Sequence, residues 1–262
     1  DLVIDAHLDR SVTTIKADAA VRTFGSVGSG VVWAVLDSGI DATHPHFAAH
    51  RNLKADAVAR LHRDFTLSSS PAAKPSPLTD AYGHGTHVAG IIAGAAPDDD
   101  KTVRIAYNEP TAQGLPQWAT RTLADGTTLS GVAPQAYLVS LKVLDDNGKT
   151  LSSVVIEALD YVRRINNDGR QLQIHGVNMS FGCTWPPTEF AAGQSPLCRE
   201  LDLLVGSGVV AVVSAGNAGA GGTITGMSGD VTGQLSTITD PGNSASAITV
   251  GSVHRYRPHT YG

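Results

Sequence analysis

Five stretches of nearly unbroken apolar, β-branched residues constrain this chain most: Val31 to Leu36, Ala136 to Leu144, Ile174 to Ser180, Val209 to Ser214 and Ala247 to Val250. A strand with one wet face alternates apolar and polar residues, whereas a strand covered on both faces reads as a continuous apolar run. Helical patterns stand between them, at Gly85 to Gly94, Ser152 to Ile165 and Leu201 to Val205. In the second of these, Val155, Leu159 and Val162 share one face, and Ser152 or Ser153 is available as N-cap. Such alternation predicts an α/β fold: a three-layer, doubly wound, mostly parallel sheet with helices on both faces. Function is then expected at the carboxyl ends of the strands.

A length of 262 residues allows one large α/β domain with a sizeable core. The net charge of −5, with no basic run, argues against a nucleic-acid partner. No apolar stretch approaches the ~20 residues that span a bilayer, so no membrane partner is expected. The chain opens on Asp1-Leu2-Val3-Ile4-Asp5, without the charged start and apolar run of a signal peptide. Asp1 is therefore not expected to begin the gene product, and residues 1–14 read as a propeptide tail or linker ahead of a domain over 15–262. Within that domain, Ala95 to Leu129 carries Asp98-Asp99-Asp100, scattered Pro and Gly and no clear period. It is expected to be an inserted surface excursion with its own packing, and residues 67–80 an exposed loop. Cys183 and Cys198 lie fifteen positions apart. They read either as a disulfide, which would stabilise by roughly 3 kcal/mol and favour an oxidising compartment, or as two unrelated small buried residues.

Three segments carry chemistry. Val35-Leu36-Asp37-Ser38-Gly39-Ile40-Asp41 puts an acid at the carboxyl end of a buried strand. Gly83-His84-Gly85-Thr86-His87-Val88-Ala89-Gly90 puts a histidine where a glycine-flanked loop enters an apolar helix. A carboxylate facing that histidine can accept its Nδ1–H, fix the tautomer and stabilise the imidazolium during proton transfer. Taken singly, Asp37 reads equally as a turn residue and His84 as a structural histidine; the pair is the stronger signal. The third segment, Val213-Ser214-Ala215-Gly216-Asn217-Ala218-Gly219, also follows an apolar strand. Its Asn217 amide can donate to an oxyanion, or the residue can serve a left-handed turn beside glycine.

With Gly131-Val132-Ala133-Pro134, Asn178-Met179-Ser180-Phe181-Gly182, Pro241-Gly242 and Ile248-Thr249-Val250-Gly251, these runs resemble the subtilisin-like serine proteases, the subtilases, from about Ile15 to the end of the chain. The resemblance implies that residues 15–262 are the N-terminal portion of the catalytic domain. It makes Asp37 the triad acid, His84 the general base and Asn217 the oxyanion donor. It also implies that Ser180, Phe181, Gly182 and Gly216 line the primary specificity pocket, that the stretch near Gly148 forms the opposite edge, and that substrate adds as an extended strand. A cis bond before Pro241 belongs to the same pattern.

The chain departs from the pattern at two places. The family nucleophile lies in a Gly-Thr-Ser-Met-Ala-like run, and no such run occurs here. Ser228 is the nearest imitation, but it stands eleven residues after Asn217 and before Pro241 instead of after it. The part of the fold that bears the nucleophile is expected to be absent. Many members also place an acid after His-Pro to hold a structural calcium, whereas His44-Pro45-His46 has a histidine there, a poor ligand for a hard cation. Asp98-Asp99-Asp100 is a second calcium candidate that reads more simply as a solvated loop. His44, His46, His50 and His62 lack ligand spacing, and His84 with His87 lacks the intervening Glu of zinc proteases. No metal ligand is therefore assigned. The function implied is serine endopeptidase activity in the full-length, secreted protein, with this chain alone inactive. Polypeptide substrates or peptide inhibitors, its own propeptide or a C-terminal half would be the partners. The alternative is a non-catalytic, peptide-binding relative.

Overall fold

The structure, a computed structural model, describes residues 12, 14–66, 76–96, 103–110, 116–123, 129–184, 188–217, 222–224, 231–233 and 237–252. The five apolar runs become strands β1 (Val32–Asp37), β5 (Tyr137–Lys142), β6 (Gly176–Met179), β7 (Val210–Ser214) and β10 (Ile248–Val250). With the short β2 (Arg63–Asp64) they form a six-stranded sheet in the order β10-β7-β6-β1-β5-β2. Every pairing in it is parallel. The four helices described are α1 (Ala17–Phe24), α2 (His84–Ala93), α3 (Ser152–Ile165) and α4 (Pro196–Gly206).

The two faces of β1 bury different residues. Val32, Ala34 and Leu36 join Val139, Leu141, Val177, Met179, Ala211 and Val213 beneath α3 and α4, which contribute Val155, Leu159, Val162, Leu201 and Leu204. Val35 and Leu138 point the other way, to Val88, Ala89 and Ala93 of α2 and to Ile40, Phe47 and Leu53. This is the expected three-layer arrangement, and it explains the unbroken runs of β1, β5 and β6, which are dry on both faces, whereas Val210 of β7 and Ile248 and Val250 of β10 are exposed.

Details differ from the sequence reading. Helix α3 is capped by Leu151 with no side-chain bond, and Ser152 and Ser153 lie inside the first turn. Helix α4 starts five residues before the expected Leu201, because Ser195 accepts from the Cys198 N–H and Pro196 follows it at the first helical position. Within the Ala95–Leu129 stretch lies an antiparallel hairpin, β3 (Val103–Pro110) and β4 (Pro116–Leu123), which the lack of a clear period had concealed. Trp118 on it is exposed. A second hairpin pairs β8 (Gly222–Ile224) with β9 (Val231–Gly233). Residues 1–11, Asp98-Asp99-Asp100 and Ser228 lie outside the described residues.

The disulfide does not form. Both thiols are free, Cys183 exposed and Cys198 buried. Cys183 follows β6 and bridges the backbone of Asp240, whereas Cys198 sits in the first turn of α4 with its side chain in the core. Burial pushes its thiol up to about 12.

Candidate active site

Parallel pairing brings the carboxyl ends of the central strands into line. Leu36 pairs with Met179 and Met179 with Val213, so Asp37, Ser180 and Ser214 follow in one row along the sheet edge. Asp37 is completely buried. Its Oδ1 accepts the Ser38 N–H at 2.8 Å, and Nδ1 of His84 lies 2.8 Å from Oδ1 and 3.0 Å from Oδ2. A carboxylate can only accept, so Nδ1 carries the hydrogen and Nε2 is the basic nitrogen. The His84 side chain keeps 38% of its surface exposed. The hydrogen bond to Asp37 raises the pKa of His84; burial opposes this, and the charges of Asp37 and Asp80 add to it.

Local sequence explains how the two residues meet. Helix α2 begins at His84, and the next residue has no side chain to hold the helix off β1. A Cβ at Gly85 would lie 2.1 Å from the Gly39 carbonyl oxygen and 3.0 Å from Asp37 Cβ. The N-cap, Gly83, offers no side chain of its own. Asp80 takes over that work: its Oδ1 accepts from Gly83 N and Ser38 Oγ, both at 2.8 Å, and its Oδ2 from Thr86 N at 2.8 Å and Thr86 Oγ1 at 2.6 Å. Burial works against the Asp80 charge, but these donors outweigh it and hold its carboxyl below the ordinary value. Thr86 Oγ1 also accepts the Asp41 N–H at 2.9 Å, tying the segment after β1 to the helix. Tyr82, half exposed, stands beside the histidine with ring centroids 6.3 Å apart and touches the Gly148 turn. The sequence reading missed Asp80, Ser38, Thr86 and Tyr82. Asp80 stands three residues before the N-cap Gly83, outside the capping position itself, so no local pattern marks it.

The remaining candidates fall into two groups. Gly148, Phe181 and Gly182 line one cleft of about 140 Å³ with Leu144, Cys183 and Asp240. Gly182 packs so closely on Thr239 that any side chain there would collide. Ser180 is held by the Asn178 amide at 2.8 Å, and Ser214 Oγ donates to the Phe181 carbonyl at 3.3 Å. Gly216 and Asn217 lie on the loop after β7, with Gly216 at φ +94° and Asn217 exposed. They are two strands from Asp37, about 10 Å at the usual spacing. The bond between Asp240 and Pro241 is cis.

His46 packs its imidazole against Gly94 and Gly90 of α2, beside the Phe47 ring. Burial, helped by His44, holds its pKa below the ordinary value. A neutral ring in that place does not fit an oxygen-seeking calcium ion. Among the described residues, no group of three or more His, Cys, Asp or Glu side chains is arranged to hold a metal. Among them, too, no helix is long and apolar enough to cross a membrane.

Comparison with known proteins shows the family. The family model described as "Subtilase family" matches residues 28–260. Subtilisin E of Bacillus subtilis (strain 168) is 30% identical over 243 residues, covering 93% of this chain and 46% of that protein. Subtilisin of Bacillus pumilus is 30% identical over 243 residues, covering 93% of this chain and 63% of its own length. The minor extracellular protease Vpr of Bacillus subtilis (strain 168) is 27% identical over 249 residues, covering 95% of this chain and 23% of its own. The chain thus spans about half the length of the first of these relatives. By its matched residues and the order of its motifs, the chain belongs to the subtilase family.

Proposed function

We propose that the protein is a serine endopeptidase in which Asp37 and His84 are the acid and base of an Asp-His-Ser triad. The observation that carries this reading is the contact between a fully buried carboxylate and the Nδ1 of a half-exposed histidine, at the carboxyl edge of a parallel sheet. In the reaction, Nε2 of His84 takes the proton of a serine hydroxyl as its oxygen attacks the peptide carbonyl. It then returns that proton to the amine as the C–N bond breaks, and a water molecule later hydrolyses the acyl-enzyme by the same route. Asp37 holds the tautomer and stabilises the imidazolium. Asn217 is proposed to donate to the oxyanion. Ser180 to Gly182 and the turn at Gly148 would bind the substrate as an added strand, with Leu144 and Phe181 beside its side chains.

The nucleophile is proposed to be a serine outside these 262 residues, since they contain no Gly-Thr-Ser-Met-Ala-like run. A secreted protein fits this reading, and one relative carries the word extracellular in its name.

The test is hydrolysis of labelled casein by the protein translated from its complete gene. In subtilisin itself, where the value was measured, loss of the triad histidine costs about 10⁶-fold in kcat. His84→Ala is expected to abolish turnover here, and turnover that survives it would refute the assignment. The 262-residue chain alone is expected to stay unlabelled by a fluorophosphonate probe; stoichiometric labelling would place the nucleophile within it. A stop codon after Gly262 would favour the peptide-binding alternative.

A further inference from the structure

Ser38 stands between two carboxylates and has one hydroxyl proton to give. Its Oγ lies 2.8 Å from Asp80 Oδ1 and 3.3 Å from Asp37 Oδ1. Hydroxyl donors bond at 2.5–3.0 Å, so the proton belongs to Asp80. The lone pair left on Ser38 Oγ accepts the Gly85 N–H at 3.1 Å, which fixes the residue next to His84. Asp37 Oδ1 then receives one backbone donor, Ser38 N, and one side-chain donor, His84 Nδ1. Asp80 Oδ1 also accepts the Gly83 N–H, and its other oxygen, Oδ2, accepts the N–H and hydroxyl of Thr86, so the carboxylate clamps the first turn of α2.

We propose that Asp80 is a positioning residue for the Asp37–His84 pair. It draws the Ser38 proton away from Asp37, leaving His84 as that carboxylate's only side-chain donor among the described residues, and it clamps the helix end on which His84 stands. The inference rests on reading Asp37 and His84 as the acid–base pair. Its consequence is electrostatic as well as geometric. In Asp80→Asn a negative charge near His84 is lost and one acceptor oxygen remains for the donors of Ser38, Gly83 and Thr86; with that oxygen turned to Thr86, the Ser38 hydroxyl turns to Asp37 Oδ1 and competes with the imidazole. Both changes weaken the hold on the imidazolium. Among the described residues, Tyr82 from the loop before α2 stands beside the His84 ring, and Lys142 lies on the neighbouring β5 with its Nζ bound to Asp146 at 2.7 Å. Lys142 pairs in register with Asp37 and is untouched by the substitution.

The experiment is an NMR titration of the His84 Cε1–H in the 262-residue chain, assigned by its loss in His84→Gln. It needs no turnover, so absence of proteolysis by the protein translated from its complete gene would overturn the proposed function and leave this titration to decide the inference. Asp80→Asn is expected to shift the His84 midpoint to lower pH and to weaken the far-downfield Nδ1 proton signal, with the His62 resonance unchanged as a sign of an intact fold. The shift is expected to be smaller when Ser38→Ala is added, because no hydroxyl remains to turn. Ser38→Ala alone is expected to leave the midpoint in place, since its proton was on Asp80. An unmoved midpoint in Asp80→Asn, an equal shift with and without Ser38, or a raised midpoint in Ser38→Ala would each overturn the proposal. Should Asp80→Asn fail to fold, the Ser38→Ala titration decides it alone.

Discussion

The approach of α2 to β1 rests on the missing side chain at position 85, and Gly85→Ala measures what that approach is worth. The added methyl would sit 2.1 Å from the Gly39 carbonyl oxygen and 3.0 Å from Asp37 Cβ. Both neighbours belong to the backbone or to a buried side chain locked by it, so neither can swing aside. The helix end or the Ser38-Gly39 turn must retreat by about 1 Å to reach an ordinary contact. Overpacking of this kind costs roughly 1–3 kcal/mol. The same retreat stretches the 2.8 Å bond between His84 and Asp37 beyond hydrogen-bonding range, along with the 3.1 Å bond from Gly85 N to Ser38 Oγ. Urea denaturation should therefore show lower stability, and the His84 titration should move to lower pH, because the Asp37 hydrogen bond is the largest influence raising it. A Gly85→Ala protein with parental stability and an unmoved His84 midpoint would refute the close-approach reasoning.

His62 gives the fold an acid-sensitive joint. Its Nε2 donates to the Leu53 carbonyl at 2.9 Å, and its Nδ1 accepts the Ser140 N–H at 3.0 Å, so the ring must be neutral. Burial holds its pKa below the ordinary 6.5. The unfolded chain then takes up the proton first, so stability is full above about pH 6.5 and falls as pH drops through the lowered folded value. His84 has the opposite sign, its pairing contributing below about pH 6.5 and fading as pH rises through its raised value, and its partial exposure keeps that contribution small. Denaturation across acid pH should lose up to about 1.4 kcal/mol per pH unit per proton, and His62→Gln should flatten that limb; an acid limb of unchanged slope in the variant would count against it. For the cysteines, intact mass should show two free thiols, with Cys183 modified slowly in the native state and Cys198 only on unfolding. A mass that rises on reduction would restore the disulfide.

What the sequence revealed follows from burial. Strands β1, β5 and β6 were legible because parallel strands dry on both faces cannot hide their composition; β7 and β10 carry the same apolar run although Val210, Ile248 and Val250 are exposed, and the two-residue β2 carries none. The hairpin β3–β4 was not legible, because it forms a separate two-stranded antiparallel sheet without the flanking parallel strands that impose such a run. Helix α4 was read too short because its first turn depends on Ser195 and Pro196, a capping pair that only local geometry makes active. The site divides the same way. Asp37, His84 and Asn217 stand out because each follows or opens an element with a strong pattern. Asp80 sits in a Pro- and Ser-rich stretch with no pattern, and its importance comes from the chain folding back to put residue 80 between 38 and 86. The cysteine spacing suited a disulfide in sequence, but the core side of α4 captured Cys198 and left Cys183 outside.

The pairing of Asp37 with His84 is what the proteolytic reading depends on, and titrating His84 in Asp37→Asn tests it most directly. With the carboxylate gone, the His84 midpoint should fall, and nitrogen-detected spectra should show the neutral ring losing its preference for the Nδ1–H tautomer. His62, whose ring is held by Leu53 and Ser140 and makes no bond to Asp37, should titrate as before. A His84 that keeps both its midpoint and its tautomer in Asp37→Asn would mean that Asp37 does not hold it, and the acid–base assignment would fall.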